Sequence, residues 1–281
     1  MKEQIMMAKD LRDFEEKLRR DERSAGTIEN YLRHVRAFFA WAGGRPVSKE
    51  VTSAWKDQLL ARRYCPGTVN TMLVSLNRFL AFLGWHECKV KTLRIQCRVF
   101  REETRELTRR EYERLLAAAH SLGRERLALL METICSTGIR VSEVKYITVE
   151  ALRAGRAEVS LKGKIRTILL PAKLCRRLLK YCKKQKNASG EVFLTRSGRS
   201  VSRKQIWAEM KAVCEKADVA PSKVFPHNLR HLFARVFYRV CRDVVKLADV
   251  LGHSSVETTR IYLISTGAEH ASALNRLGLV C

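Results

Sequence analysis

The sequence lacks several features that would place it in common protein classes. It has no uninterrupted apolar run of about 18 residues, so we expect no transmembrane helix. The N-terminal segment is too charged to contain the apolar centre of a signal peptide, and we expect a cytoplasmic protein. The nine cysteines form no C-x-x-C pair and are odd in number. A disulfide framework and a zinc site are therefore not expected.

What the sequence has in excess is positive charge. Its 281 residues include 54 lysines and arginines against 29 acidic residues, which gives a net charge of +25. Basic surfaces attract polyanions and speed their capture. We therefore expect nucleic acid as the first candidate partner and an anionic membrane surface as the second.

The first 88 residues are predicted to form a helical domain. Apolar residues recur there at spacings of three and four, as at Leu11, Phe14 and Leu18, which predicts four helices with their aromatic stripes in a core. Arginines between the apolar positions are expected on the outer faces: Arg33, Arg36, Arg62, Arg63 and Arg78. Residues 89–106 lose this pattern and are rich in lysine and arginine, which indicates a basic interdomain linker.

Residues 107–281 are predicted to form a second, mixed domain. Thr108 and Glu111 fit a capping box at the start of its first helix. Two further capping boxes are expected, formed by Ser202 with Gln205 and by Ser254 with Glu257. Two β-prone runs within 156–170 flank Lys162-Gly163-Lys164 and predict a hairpin. Helices are expected near 108–120, 124–137, 140–146, 172–185 and 202–217, and through the C-terminal third. The fold class predicted for the chain is mainly α with a small antiparallel β-hairpin.

The second domain contains the residue types that phosphodiester transfer requires. Fixed cations must hold the negative charge that builds on the phosphate oxygens, and arginine suits this best because its planar fork binds two oxygens. A nucleophile and a general acid complete the requirement. The candidates, in chain order, are Arg140, Lys162, His227, Arg230, His253 and Tyr262. Glu143 follows Arg140 by three residues and could orient its guanidinium.

This set resembles the tyrosine recombinase (phage-type integrase) family, whose pattern is Arg, Lys, His-x-x-Arg, His, Tyr. The segments TGIRVSE, PHNLRH and LGHSSVETTRIY carry the resemblance, with nine residues from His253 to Tyr262. Any one of these motifs alone is weak evidence for the family, but three of them in the family's order are specific evidence. The resemblance covers essentially the whole chain. It implies an N-terminal four-helix core-binding domain followed by a mixed α+β catalytic domain.

The resemblance also implies a role for each residue. Tyr262 would attack the scissile phosphate, forming a 3′-phosphotyrosine and releasing a 5′-hydroxyl, while Arg140 and Arg230 clamp the non-bridging oxygens. Lys162 would protonate the leaving oxygen. His227 would assist as acid and base on the tyrosine proton, and His253 would hydrogen-bond the phosphate. No metal, cofactor or ATP is implied.

Two departures from the family pattern matter. The hairpin reads LKGKIR, so Lys164 could replace Lys162 as the general acid, and both are expected on the same side of a strand. Leu263-Ile264 follows the tyrosine where Thr-His is common in Xer proteins, which favours a mobile-element integrase.

A type IB topoisomerase and a non-catalytic DNA-binding regulator are the alternative functions. His231 is interpreted as a structural neighbour of His227 without a catalytic role.

The resemblance further implies the partners. Double-stranded DNA is the substrate, a homotetramer on two DNA sites is expected, and an accessory DNA-bending or excision factor is a further candidate. A membrane partner is not implied. The C-terminal tail, residues 265–281, has apolar residues at a spacing that suits docking onto a neighbouring protomer or packing in cis.

Overall fold

The computed structural model describes residues 4–95, 105–161, 164–253, 255–260, 262 and 275–276. The chain divides into two compact units, Met1–Cys97 and Arg98–Cys281. Among the described residues, no helix is long and apolar enough to cross a membrane.

The first unit is built from helices, as the apolar spacing predicts. They are α1 (Ala8–Arg20), α2 (Ala25–Ala42), α3 (Lys49–Ala61) and α4 (Pro66–Phe82). Gly43 ends α2 in a left-handed conformation with φ of 59°, which a glycine adopts without steric cost.

The core of the first unit confirms that the aromatic stripes are structural. Phe14 and Phe79 meet edge to face with ring centroids 5.2 Å apart, and Phe38 and Trp55 do so at 5.1 Å. Four of the predicted outer arginines are exposed, namely Arg33, Arg36, Arg62 and Arg63. Arg78 is partly buried because it pairs with Asp21 on α1.

The segment after α4 is fastened to the first unit by two asparagine side chains. Asn77 donates to the Val90 carbonyl at 2.7 Å and accepts from the Val90 amide at 3.0 Å. Asn70 makes the same pair of bonds with Leu93, at 2.9 and 2.7 Å. The chain therefore leaves this unit along α4 in a defined path as far as residue 93.

The second unit is mixed, with helices around one β-hairpin. Its elements are α5 (Arg109–Ser121), α6 (Glu125–Thr137), a 3-10 helix at Val141–Tyr146, α7 (Val149–Ala154), β1 (Arg156–Leu161), β2 (Lys164–Leu169), α8 (Ala172–Lys184), α9 (Arg203–Lys211), a 3-10 turn at Pro221–Lys223, α10 (Pro226–Cys241), α11 (Val244–Leu251) and α12 (Val256–Arg260). Helix α6 contacts α5, α8, α9 and α10, and its apolar side chains lie at the centre of the core.

Local sequence signals account for several element boundaries. The predicted capping box is present at α5, where the Glu111 amide donates to Thr108 Oγ1 and the Thr108 amide donates to Glu111 Oε2. The Ser202 hydroxyl likewise accepts from the Gln205 amide at the start of α9. Two predicted helices differ from expectation: 140–146 is a 3-10 helix, and 202–217 keeps α-helical form only to Lys211. A third capping box expected at Ser254 lies outside the described residues.

The hairpin pairs β1 and β2 as an antiparallel sheet, in register from Arg156 opposite Leu169 to Leu161 opposite Lys164. Alternation places Ile168 on the inward face, where it is buried, and Ile165 and Leu169 on the outward face, where they are about three-quarters exposed.

Candidate active site

The first candidate arginine is oriented by a buried carboxylate. Arg140 follows the left-handed Gly138 that ends α6 and itself caps the 3-10 helix. Its Nη1 donates to Glu143 Oε1 at 2.9 Å, and its backbone amide donates to Glu143 Oε2 at 2.8 Å. The side chain of Glu143 is only 2% exposed while that of Arg140 is 41% exposed. The guanidinium is therefore fixed on its buried side by Glu143 and is open to solvent on its other side.

The second arginine lies on α10 and is almost fully buried. Arg230 is 1% exposed, and its guanidinium donates to the Gly138 carbonyl and, at 2.9 Å, to the Leu251 carbonyl. It also interacts with Tyr262. These bonds join the ends of α6 and α11 to one side chain. Burial lowers the pKa of the Arg230 guanidinium, but an arginine starts so high that it stays ionised near neutral pH.

His253 is held in a defined tautomer by its two neighbours. Arg230 Nη2 lies 2.8 Å from His253 Nε2, and Thr259 Oγ1 lies 2.8 Å from Nδ1. Because a guanidinium can only donate, Nε2 accepts and the ring proton belongs on Nδ1. Burial, followed by the charges of Arg230 and Arg140, lowers the pKa of His253 to about 4. The ring is neutral at physiological pH.

Tyr262 is buried among three imidazole rings. Its ring centroid lies 4.4 Å from that of His231, 5.6 Å from that of His253 and 5.9 Å from that of His227. The ring is 5% exposed and packs against Ala234, Leu247 and Leu251. A phenol in this position has a cation and several proton-accepting groups beside it.

The structure therefore brings together five of the six candidate residues. Arg140, Arg230, His253 and Tyr262 form a continuous cluster, with the exposed His227 on its solvent side. The expected general acid, Lys162, lies outside the described residues. For Lys164 the backbone is described at the start of β2. The choice between the two lysines stays a prediction.

Sequence reasoning missed three contributors to the site. Arg166 on β2 forms an ion pair with Glu143 at 3.2 Å. Thr259, which is 0% exposed, accepts the Nδ1 proton of His253 in a hydrogen bond. His231, which the sequence left without a role, has the ring nearest to Tyr262 of the three histidines. A signal for Arg166 was available, because a charged residue at an inward-facing strand position needs an explanation. Thr259 and His231 gave no such signal.

Comparison with known families matches both parts of the chain. Residues 105–269 match the family described as "Phage integrase family", and residues 11–87 match "Phage integrase, N-terminal SAM-like domain". Tyrosine recombinase XerA of Pyrococcus furiosus is 26% identical over 100% of this chain and 98% of its own length. Tyrosine recombinase XerC of Roseiflexus castenholzii is 30% identical over 86% of this chain and 84% of its own length.

Solved structures share the fold. A lambda integrase tetramer bound to a Holliday junction aligns with a TM-score of 0.74 and 17% identity, covering 90% of this chain and 76% of that chain. XerH recombinase bound to difH substrate, in a pre-cleavage complex, aligns with a TM-score of 0.68 and 19% identity, covering 95% of this chain and 84% of that chain.

Proposed function

Since the chain belongs to the phage integrase family of DNA breaking-rejoining enzymes, we propose that it is a site-specific tyrosine recombinase acting through a 3′-phosphotyrosine intermediate. The observation that carries the proposal is the cluster of Arg140, Arg230 and His253 around Tyr262. Two phosphate-binding cations beside a buried phenol fit phosphoryl transfer to a tyrosine better than any other chemistry.

In the first step the Tyr262 hydroxyl attacks the scissile phosphorus in line. The new bond joins phosphorus to the tyrosine oxygen while the bond to the 5′ oxygen breaks. The phenolic proton passes to His227, and a proton from Lys162 or Lys164 goes to the departing 5′ oxygen. Arg140 and Arg230 bind the non-bridging oxygens, where charge develops. The products are a 3′-phosphotyrosine and a free 5′-hydroxyl.

In the second step the 5′-hydroxyl of another strand attacks the phosphotyrosine. The bond from phosphorus to the Tyr262 oxygen breaks as the new phosphodiester bond forms. The attacking hydroxyl gives its proton to the lysine that lost one in the first step, and the tyrosine oxygen takes back its proton from His227. One phosphoester bond is made for each one broken in both steps, so strand exchange needs no ATP.

The scissile phosphate must compete for groups that already have partners. Arg230 holds the His253 imidazole and interacts with Tyr262. A phosphate oxygen is a stronger acceptor for a guanidinium than a neutral nitrogen. We expect phosphate binding to displace the Arg230–His253 bond. The neutral imidazole can then carry its proton on Nε2 in place of Nδ1 and donate it to the phosphate, while Nδ1 accepts from the Thr259 hydroxyl.

The substrate we propose is double-stranded DNA bound by four protomers on two sites. The relatives that support this are lambda integrase, whose tetramer is bound to a Holliday junction, and XerH, bound to difH. Leu263-Ile264 follows the nucleophile in place of the Thr-His common in Xer proteins. This difference favours an integrase that inserts or excises a mobile element. The tail, residues 265–281, is proposed to dock onto a neighbouring protomer, and an accessory DNA-bending or excision factor is a candidate partner.

A covalent trapping experiment tests the function. The full chain is incubated with fragmented DNA, denatured, and the DNA retained on the protein is sequenced at its ends. The site found is rebuilt as a duplex with a nick near the cleavage position, so that religation fails. We expect a covalent adduct with the wild type and none with Tyr262→Phe, although both bind the duplex.

Each alternative has its own outcome in that experiment. DNA binding without any adduct would overturn the proposal in favour of a non-catalytic regulator. An adduct with supercoil relaxation, but no strand exchange between two site-bearing duplexes, would overturn it in favour of a type IB topoisomerase. An adduct that persists in Tyr262→Phe would show that another nucleophile acts.

A further inference from the structure

Arg166 is a largely buried cation on the inward face of the hairpin. It pairs with Val159 in the register of the sheet and shares its face with Ile168, both of which are buried. An apolar residue would be expected at such a position. The Arg166 side chain is only 16% exposed. A buried charge persists in a fold only when specific partners compensate its lost hydration.

The first partner is the carboxylate that also orients Arg140. Arg166 Nη2 lies 3.2 Å from Glu143 Oε2, while Arg140 Nη1 holds Oε1 at 2.9 Å. Glu143 is 1% exposed and so has little water to hydrate it. Its Oε2 also accepts from the Arg140 backbone amide at 2.8 Å, so Arg166 adds an electrostatic contact to the two hydrogen bonds that Arg140 makes. Removing Arg166 would leave the buried Glu143 charge less compensated and would loosen the orientation of Glu143 and of the Arg140 guanidinium.

The second partner is the turn that presents His253. Arg166 Nη1 donates to the Leu251 carbonyl, which Arg230 Nη2 also contacts at 2.9 Å. Gly252, with φ of 64°, packs directly on the Arg166 side chain, because a Cβ there would lie 2.5 Å from Cδ and 3.0 Å from Cζ. The end of α11 is thus clamped between two arginines.

The charges of this group leave a surplus for the substrate. Arg140, Arg166 and Arg230 supply three positive charges against the single negative charge of Glu143, and the neutral His253 adds none. Burial lowers the pKa of Arg166, Glu143 opposes this shift, and the neighbouring Arg230 and Arg140 add to it, yet an arginine stays ionised. The surplus of two matches the two negative charges of a pentacoordinate phosphate.

We propose that Arg166 is a positioning residue for cleavage: it fixes Arg140 through Glu143 and fixes His253 through the Leu251 carbonyl, so that both meet the scissile phosphate in a ready-made arrangement. This inference rests on the proposed function. It makes the hairpin part of the phosphate-binding machinery through β2, independently of the lysine at its tip.

The test compares single-turnover cleavage by three variants on the nicked duplex at saturating protein. Arg166→Gln removes both interactions and should lower the cleavage rate about 100-fold, the scale of a small misplacement of catalytic groups. Arg166→Lys can satisfy one partner and should recover about 10-fold of that loss, since breaking a single charge-assisted bond costs less. The matched control is Arg156→Gln, which removes an exposed arginine from the other strand of the same sheet.

A second substrate separates positioning from a loss of folded protein. The duplex carries a methylphosphonate at the cleavage position, which removes the charge of one non-bridging oxygen. The arginine cluster then has less charge to stabilise, so the ratio of wild-type to Arg166→Gln rates should fall to under about 10-fold. A variant that is merely misfolded in part would lose the same factor on both substrates.

The outcomes are distinct. An equal ratio on the two substrates, or a wild-type rate in Arg166→Gln, would overturn the positioning role. Failure of Arg166→Lys to recover any activity would also overturn it. If the wild type itself forms no Tyr262 adduct, the proposed function fails, and not this inference alone.

Discussion

At the scale of single residues, the site depends on backbone carbonyls as much as on side chains. The carbonyls of Gly138 and Leu251 hold Arg230, and that of Gly252 lies 3.3 Å from Arg140 Nη2. Helix C-termini leave such carbonyls without partners and carry partial negative charge. The carbonyls at the ends of α6 and α11 therefore bind the guanidiniums, and a substitution at either helix end must leave these carbonyls in place.

Gly138 provides the first residue-scale prediction. It ends α6 with φ of 66°, and a Cβ there would lie 2.6 Å from Phe233 Cε1 and 3.0 Å from Leu251 Cδ2. Gly138→Ala should cost about 1–2 kcal/mol for the left-handed backbone and about 1–3 kcal/mol more for overpacking. Urea unfolding measures the total.

Gly155 is the matched control for that substitution. It ends α7 with φ of 68°, yet a Cβ at this position would have no atom within 4 Å. Gly155→Ala should therefore show the backbone cost alone and leave cleavage unchanged. Equal free energies of unfolding for the two variants would contradict the proposed close packing around Gly138.

His253 provides the second residue-scale prediction. Its pKa of about 4 lies below the ordinary 6.5, so the folded protein disfavours the protonated ring. The stability that this contributes is present above pH 6.5 and is lost as the pH falls from 6.5 through 4. Titration of the His253 ring by NMR should give a midpoint near 4 in DNA-free protein.

The stability of variants checks the same point. His253→Asn should flatten the decline in the free energy of unfolding between pH 6.5 and 4. His120→Asn, which removes an exposed histidine from α5, is the control and should leave the decline in place. A His253 midpoint near 6.5 would contradict the arginine-lined environment.

At the scale of elements, helix α10 carries two of the three histidines that lie around Tyr262. His227, Arg230, His231 and Ala234 follow the spacing that places residues on one face of a helix. Solvent exposure falls along this face, since His227 is exposed while Arg230 and Ala234 are buried. Arg230 is thus shielded from water, whereas His227 can exchange protons with it.

The hairpin provides the element-scale prediction. We expect Lys162→Ala to lower the cleavage rate at least about 100-fold, the contribution of a general acid, while Lys164→Ala keeps most of the activity. A substrate with sulfur in place of the bridging 5′ oxygen should restore Lys162→Ala, because a thiolate leaves without a proton. Restoration of Lys164→Ala instead would assign the acid to Lys164.

At the scale of the whole molecule, the excess of positive charge must act over a large surface. The few arginines of the site account for only a small part of the net charge of +25, so most of the excess cations lie elsewhere in the chain. In the first unit, Arg33 and Arg36 lie exposed on α2, outside the apolar core. Such cations bind phosphates and release condensed counterions.

The salt dependence of DNA binding provides the molecular-scale prediction. The logarithm of the dissociation constant should rise linearly with the logarithm of salt concentration, and Arg33→Gln and Arg36→Gln should each reduce the slope by about 0.9 for a lost phosphate contact. Filter binding or fluorescence anisotropy measures it. Glu29→Gln, on the same helix, removes no cation and should not reduce the slope; unchanged slopes in all three would exclude α2 from the interface.

The sequence by itself determined most of the helices, the hairpin and the order of the candidate residues, although it did not indicate α7 and placed an α-helix where Val141–Tyr146 forms a 3-10 helix. Apolar spacing and the capping pair Thr108 and Glu111 predict elements because they act between residues a few positions apart. The spacing from Arg140 to Glu143, and from His227 to Arg230, likewise placed each pair on one turn of chain. These signals are local, so they can be read before the chain is folded.

Only the tertiary structure decided which groups those residues meet. Arg166 and the Leu251 carbonyl are 85 positions apart, and Arg230 and the Gly138 carbonyl are 92 apart. No spacing rule relates such positions, because their contact follows from how the hairpin and α10 pack against the ends of α6 and α11. Burial then does what sequence cannot indicate: it makes His253 neutral and encloses Tyr262 among three imidazoles.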